Sequence, residues 1–265
     1  MEIMALHLYC PPNKQSKAYL VIDNVRKDWP DTIDIKNYAR TDGPGLFWGF
    51  VGENMTLIKD LERRNKDYYF ADMPYFGRWN GDNNAEHYWR ISKNELHPTK
   101  HYHRPGDRFD RFGKQIDLWK NDGSHILVCP SSNTMNKYYD EPNWTQDTVN
   151  ELKKHTDREI RVRLKKMNGN YNPVPLHEDM KEAHAVVSFQ SSAAAKAIIK
   201  GTPSFTITDK YSAAIPMSQT DLSKIETPIY PDNRHEWLCN LANHQFYADE
   251  IQSGHAERYL NEQHA

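Results

Sequence analysis

The sequence predicts an α/β protein built from two parallel-sheet domains. Three observations carry that expectation. Residues 124–208 alternate short β-branched or aromatic runs with helix-forming stretches, the pattern of a doubly wound sheet. Residues 46–72 read strand, helix, strand, as a parallel βαβ unit requires. The chain has 265 residues, 38% of them hydrophobic, with seven Trp, fifteen Tyr and nine Phe, which is enough for packed cores and too aromatic for disorder.

Taken in order, Ile3–Leu8 opens as a strand and Leu46–Val51 (LFWGFV) is a second apolar run. Thr56–Arg64 sets Leu57, Ile58 and Leu61 at helical spacing, and Tyr68–Ala71 reads as a strand ending at Asp72. His87–Ser92 is a further strand, and Pro98–Gly113 reads as a long loop, a type that is usually functional or mobile. In the second half, Ser124–Cys129 is a buried strand running into Pro130-Ser131-Ser132. Trp144–His155 is helical, with Thr145 as its N-cap. Arg158–Lys165 alternates as a strand, Pro175–Ala183 contains a short helix, and Ala185–Phe189 is an apolar strand. Ser191–Lys200 is a strong helix stopped by Gly201 and Pro203, and Ser204–Thr208 is the next strand. Asn233–Leu260 is mostly helical. The domain break is expected near Gly123. That gives an N-terminal domain over 1–122, a second over 123–232, and C-terminal helices over 233–265 packing back on the first.

The formal net charge of −2 excludes a protein that grips nucleic acid by bulk charge. A local patch remains, where Lys100, Arg104, Arg108, Arg111, Lys114 and Lys120 interleave with Tyr102, Phe109 and Phe112. Asp107, Asp110 and Asp117 dilute it, and a solvated loop face is the plainer reading. Cys10, Cys129 and Cys239 are odd in number and far apart, so they form no disulfide framework and fit a reducing, cytoplasmic compartment. The N-terminus has no signal-peptide pattern and no apolar run approaches about 18 residues, so no membrane partner is expected. A monomer is expected. His97, His101 and His103 are closely spaced, but no Cys lies near and neighbouring Arg and Lys disfavour a cation, so no metal is expected.

The most informative stretch is 185–205. An apolar strand ends in Gln190-Ser191-Ser192, and a helix rich in Ala begins there. Helix N-termini attract phosphate through unpaired N–H groups and the helix dipole. The two hydroxyls add donors, and Ala193, Ala194 and Ala195 allow close approach. An ordinary capping serine is the competing reading. Arg161, Arg163 and Lys165 recur at spacing two in the preceding strand and so share a face. A cationic row inside a sheet calls for an anion, whereas on an edge strand it calls only for water. Ser131 and Ser132 end the first strand of this half and fall on the same sheet edge, where ligands of open α/β sheets bind.

These residues carry a resemblance. The segment HEDMKEAHAVVSFQSSAAAKAIIKGTPSF, residues 177–205, resembles the donor-site segment of glycosyltransferases with two Rossmann-like domains facing a cleft, the GT-B type. Residues 221–254 are similar to the tail of a phage-borne glycosyltransferase-like family through Ile225-Glu226-x-Pro228, Arg234-x-x-Trp237, Leu241-Ala242-x-x-Gln245 and Glu250-Ile251-x-Ser253-Gly254. WGFVGEN, YYFADMPYFGRW and HYWRISKNELHP, in residues 48–98, resemble that family's first half. The resemblance implies transfer of a sugar from a nucleotide-diphosphate sugar, a UDP-sugar favoured, to an acceptor hydroxyl. Together with the strand-end and spacing arguments above, it gives an expected donor site at Ser131, Ser132, Arg161, Arg163, Lys165, Gln190, Ser191 and Ser192. A phage setting places the protein in the cytoplasm of an infected cell. It makes hydroxymethylated pyrimidine in DNA the leading acceptor, with a surface glycan or small molecule as the alternative.

Such a transfer needs a base on the acceptor side and stabilisation of the departing diphosphate. Asp72, at a strand end before Met73-Pro74-Tyr75, is the expected base, with Asp42 and Glu53 as alternatives and a turn-forming Asp as the competing role. Tyr75, Arg90 and His97 are candidate acceptor contacts. No Asp-x-Asp pair occurs, so a metal-independent mechanism without cofactor is expected. A non-catalytic nucleotide- or glycan-binding module is the alternative class.

Overall fold

The computed structural model describes residues 5–9, 16–29, 31–35, 37–76, 88–99, 105–164, 174–206 and 212–263. Contacts divide the chain into two units, Met1–Leu96 with Leu241–Ala265, and His97–Asn240. The first unit begins with β1 (Leu6–Leu8), α1 (Lys17–Asp28), β2 (Thr32–Asp34), β3 (Gly45–Trp48), α2 (Asn54–Arg63), β4 (Tyr68–Asp72) and β5 (Tyr88–Lys93). The second contains α3 (Asp107–Asp110), β6 (His125–Cys129), α4 (Asn133–Tyr138), α5 (Trp144–Leu152), β7 (Glu159–Val162), α6 (Leu176–Lys181), β8 (Ala183–Ser188), α7 (Ser192–Ile199), β9 (Ser204–Thr206) and β10 (Ser218–Gln219). Within α8 (Arg234–Asn243) the chain returns to the first unit, which ends with β11 (Gln245–Tyr247), α9 (Ala248–Gln252) and α10 (His255–Gln263).

In the first unit six strands are ordered β11-β5-β4-β3-β1-β2. The four strands from β2 to β4 are parallel, and β5 runs antiparallel to both β4 and β11. Helix α1 starts because Ser16 caps it, its Oγ accepting the Tyr19 N–H at 3.1 Å. Its Val21, Ile22 and Val25 recur at helical spacing and pack on Leu6, Leu8, Leu46, Ala71 and Ile91. Phe246, Ile251, Ala256 and Leu260 of the tail join the same cluster. Phe47 and Phe70 alternate with that row and are fully buried on the opposite sheet face. Helix α2 buries Leu57, Ile58 and Leu61, as their spacing predicts, and Met55 with them. Three elements of this unit go beyond the sequence expectations: α1, β2 and β11. The tail, expected to be mostly helical, contributes an edge strand, because three residues are too few for a period to register.

The second unit has the order β10-β9-β8-β6-β7, with every pairing parallel. Trp144 and Leu152 of α5 pack with Ile126, Val128, Ala185 and Val187 on one face. Met180 of α6 and Ala193 and Ala197 of α7 pack with Leu127, Cys129 and Val186 on the other. Helices on both faces of a parallel sheet make it doubly wound. Small residues let α7 lie close to the strands. The expected loop over 98–113 contains α3, which buries Phe109. Thr145 does not cap α5 but lies inside it; the helix begins at Trp144, which is anchored in the core, with Asn143 at the cap position making no side-chain capping bond. No helix among the described residues is long and apolar enough to cross a membrane.

Candidate functional site

Strand β6 comes first in its sheet, yet it lies between β7 and β8. The chain therefore winds outward in opposite directions from the β6–β8 junction, the place where open α/β sheets bind their ligands. Ser131 follows β6 there and Gln190 follows β8, and the Gln190 N–H donates to Ser131 Oγ at 3.2 Å. Ser191 caps α7, its Oγ accepting the Ala193 N–H at 3.2 Å. The N–H groups of Ser191 and Ser192 find no acceptor among the described residues. Ser132 is the cap of α4, accepting the Met135 N–H at 3.3 Å.

Around this turn several buried polar atoms have no partner among the described residues: Ser188 Oγ, Gln190 Nε2 and Thr206 Oγ1. Ser188 and Thr206 face each other across β8 and β9. Unpaired buried polar atoms are costly, and three of them gather at this strand end. Cys129, on the adjoining strand, is not a nucleophile, since burial pushes its thiol up to about 12.

Two members of the expected cationic row are placed, Arg161 and Arg163, and each has an acidic partner. β7 is the edge strand, so Arg161 stands in water and bonds Glu159 of its own strand at 2.7 Å. Arg163 does reach the same sheet edge as Ser131 and Ser191, its N–H donating to the Val128 carbonyl at 2.8 Å. Its guanidinium is ion-paired with Asp179 of α6, the two side chains only 15% and 14% exposed. Lys165 lies outside the described residues. An anion is therefore not required to balance Arg161 or Arg163.

In the first unit, Asp72 ends β4 opposite Arg90 of β5. Its Oδ1 accepts the Met73 N–H at 2.7 Å and its Oδ2 accepts from Arg90 Nη2 at 2.7 Å. Arg90 is buried and its planar fork is filled: Nε donates to the Met73 carbonyl at 3.2 Å, Nη1 donates to the Leu96 carbonyl, and the Phe70 and Tyr75 rings flank it at 5.4 Å. Arg90 thus holds the 72–76 turn and has no donor set aside for an acceptor molecule. Gln245 pins the same turn, its Oε1 accepting from the Tyr75 and Phe76 N–H groups and its Nε2 donating to the Phe76 carbonyl. Tyr75 sits in this turn, and burial raises its phenol above the ordinary value. His97 is buried and belongs to the second unit.

The alternatives to Asp72 separate by position. Glu53 follows β3 at the N-cap position of α2, on the same sheet edge as Asp72 and exposed. Asp42 precedes β3, so it stands at the opposite edge, 94% exposed and paired with Arg64 at 2.9 Å. That geometry removes Asp42 from the shared edge. Among the described residues no group of three His, Cys, Asp or Glu side chains is placed to hold a metal ion; His101 and His103 lie outside them.

No family model matches the chain, and no curated relative matches it in sequence. Solved structures do match in shape. One is the beta Kdo 2,4 transferase of Thermosulfurimonas dismutans KpsC, at a TM-score of 0.50 and 9% identity over 91% of both chains. Another is the beta Kdo 2,7 transferase of the same KpsC, at a TM-score of 0.50 and 14% identity over 98% of this chain and 100% of that one. At such identities the likeness is one of fold. The fold is α/β with Rossmann-like parallel sheets, shared with these glycosyltransferases.

Proposed function

We infer that the protein is a glycosyltransferase that takes a sugar from a nucleotide-diphosphate sugar. The observation that carries this reading is the β6–β8 junction, where Ser131, Gln190 and the α7 N-terminus converge. A diphosphate accepts from the unpaired N–H groups of Ser191 and Ser192, and the α7 dipole stabilises its charge as the sugar departs. Two solved neighbours of the same fold are named as sugar transferases, which supports the class.

In this reading the second unit binds the donor. Asp72 is the proposed base for the acceptor hydroxyl, since a carboxylate has about four lone-pair sites and only two accept a bond among the described residues. The absent Asp-x-Asp pair motivates a metal-independent reaction, with N–H dipoles in place of the ion. A thermal-shift screen of UDP-, ADP-, GDP- and dTDP-sugars with chelator present tests it. A ligand at about 100 times its dissociation constant adds about 2.7 kcal/mol, so binding is readily seen. A screen in which no nucleotide sugar shifts the melt, or in which only magnesium restores the shift, rejects the donor site or the metal independence respectively. The hydroxymethylpyrimidine acceptor rests on the phage resemblance alone; the choice of acceptor turns on the cavity described next.

A further inference from the structure

The first unit has its own reversal of strand order. β1 lies between β2 and β3, so a crevice is expected at the carboxyl ends of β1 and β3. A cavity of about 180 Å3 is found there, with Tyr9, Ser16, Tyr38, Trp48 and Asn54 in its wall and Ala18 at its side.

Three features show a built site. Asn54 is only 3% exposed, and its Nδ2 donates to the carbonyls of Trp48 at 2.9 Å and Gly49 at 3.1 Å. The amide is thereby fixed, and its buried Oδ1 finds no donor among the described residues. Tyr9 is fixed too, its ring stacked on Phe47 at 4.5 Å and its hydroxyl donating to the Ala39 carbonyl at 2.9 Å. Tyr38 has φ +51, which a non-glycine residue seldom adopts, and its phenol leans on Gly52, where a Cβ would come within 2.3 Å of the Tyr38 oxygen. The chain accepts strain to present this ring.

Charge and size choose the occupant. No described residue lining the cavity is charged. A base flipped from DNA brings phosphates that call for Lys or Arg, and an acidic sugar calls for a cation. At about 30 Å3 per water the volume equals about six waters, the space of one hexose ring. Aromatic walls suit the C–H faces of such a ring. Ser16 Oγ accepts the Tyr19 N–H and keeps its own proton for a sugar oxygen.

We propose that this cavity binds one neutral pyranose of a glycan acceptor. The proposal rests on the glycosyltransferase reading for its purpose and on the cavity for its chemistry. Methyl glycosides of glucose, galactose, mannose and N-acetylglucosamine, at millimolar concentration, are tested on the full chain by saturation-transfer NMR. Tyr38→Ala removes an exposed wall, and Ala18→Trp fills the space. Nucleotide-sugar binding on the same samples reports folding and the separate donor site. At least one glycoside is expected to bind, about tenfold weaker in Tyr38→Ala, as loss of one aromatic face implies, and not at all in Ala18→Trp. If Ala18→Trp does not fold, Tyr38→Ala decides. The proposal is overturned if no glycoside binds the native chain, if Tyr38→Ala binds equally well, or if 5-hydroxymethyl-2′-deoxycytidine competes for the site in preference to every glycoside. Glycoside binding with no nucleotide-sugar binding would support the cavity and reject the donor reading.

Discussion

Two side chains carry most of the proposed chemistry, and each lends itself to a single substitution. Ser191 caps α7 through its Oγ. Asp is as good a cap as Ser and also complements the helix dipole. Ser191→Asp is therefore expected to melt no lower than the native protein. Its charge, placed about 4 Å from a phosphate, costs about 4 kcal/mol at an effective dielectric of about 20, so nucleotide-sugar affinity should fall on the order of a hundredfold or more. Calorimetric titration beside a thermal melt checks both; unchanged affinity would remove phosphate from this turn. Asp72→Asn keeps the side-chain size and removes a base, so turnover is expected to fall by about a hundredfold or more with donor affinity unchanged. It also weakens the pair to buried Arg90, so the melt should drop modestly. Native turnover in that variant would pass the role to Glu53, on the same edge, and not to Asp42 at the other.

At the scale of elements, the resemblance motifs prove to be fold-bearing. Gln245 pins the 73–76 turn, Glu250 accepts the Tyr247 N–H at 2.8 Å to start α9, Ile251 is core, and Trp237 Nε1 donates to the Ala213 carbonyl at 2.8 Å. The conspicuous tail residues thus hold strands and turns in place. β6 and β8 also bring a pH dependence. His125 and His184 are buried on them, and burial holds both imidazoles below their ordinary value of 6.5. His184 Nε2 donates to the Ile225 carbonyl at 3.0 Å, while His184 Nδ1 and His125 Nε2 have no partner among the described residues. The unfolded chain binds protons near 6.5 where the folded one does not, so stability rises with pH through that window. It is fully present above about 6.5 and lost as pH falls toward the lowered folded values. Urea melts at about pH 7.5 and about pH 5.5 should show a lower midpoint at the acid value, with the difference reduced in a His125→Gln/His184→Gln variant. Equal midpoints in the native protein would contradict this.

At the scale of the molecule, the first unit is discontinuous in sequence. Its core needs Phe246, Ile251 and Leu260 from the tail, all fully buried. Each is worth about 1.5–3 kcal/mol, so together they supply about 5–9 kcal/mol, comparable with the whole stability of a domain at about 5–15 kcal/mol. A chain ending at Asn240 is therefore expected to leave the first unit unfolded, with hydrogen exchange over Leu6–Asp72 reaching the unprotected rate. Protection that survived there would mean that β11, α9 and α10 are dispensable.

What the sequence determined by itself was local. The strand–turn–helix over residues 183–199 was legible because its apolar run, its capping Ser191 and its small-residue helix lie within a few positions of each other. The βαβ unit over residues 45–72 was legible for the same reason, each period showing within one element. Tertiary structure alone decided the rest. Arg161 and Arg163 looked like an anion site until β7 took the sheet edge and Asp179, on another element, met Arg163. Arg90 looked available until the 72–76 turn closed over its guanidinium. The cavity walled by Tyr9, Tyr38, Trp48 and Asn54 draws on four separate segments that meet only when β1 and β3 pair. Strand order and burial are set by pairing between distant residues. A local period records which face of an element is apolar, not which neighbour that face will meet.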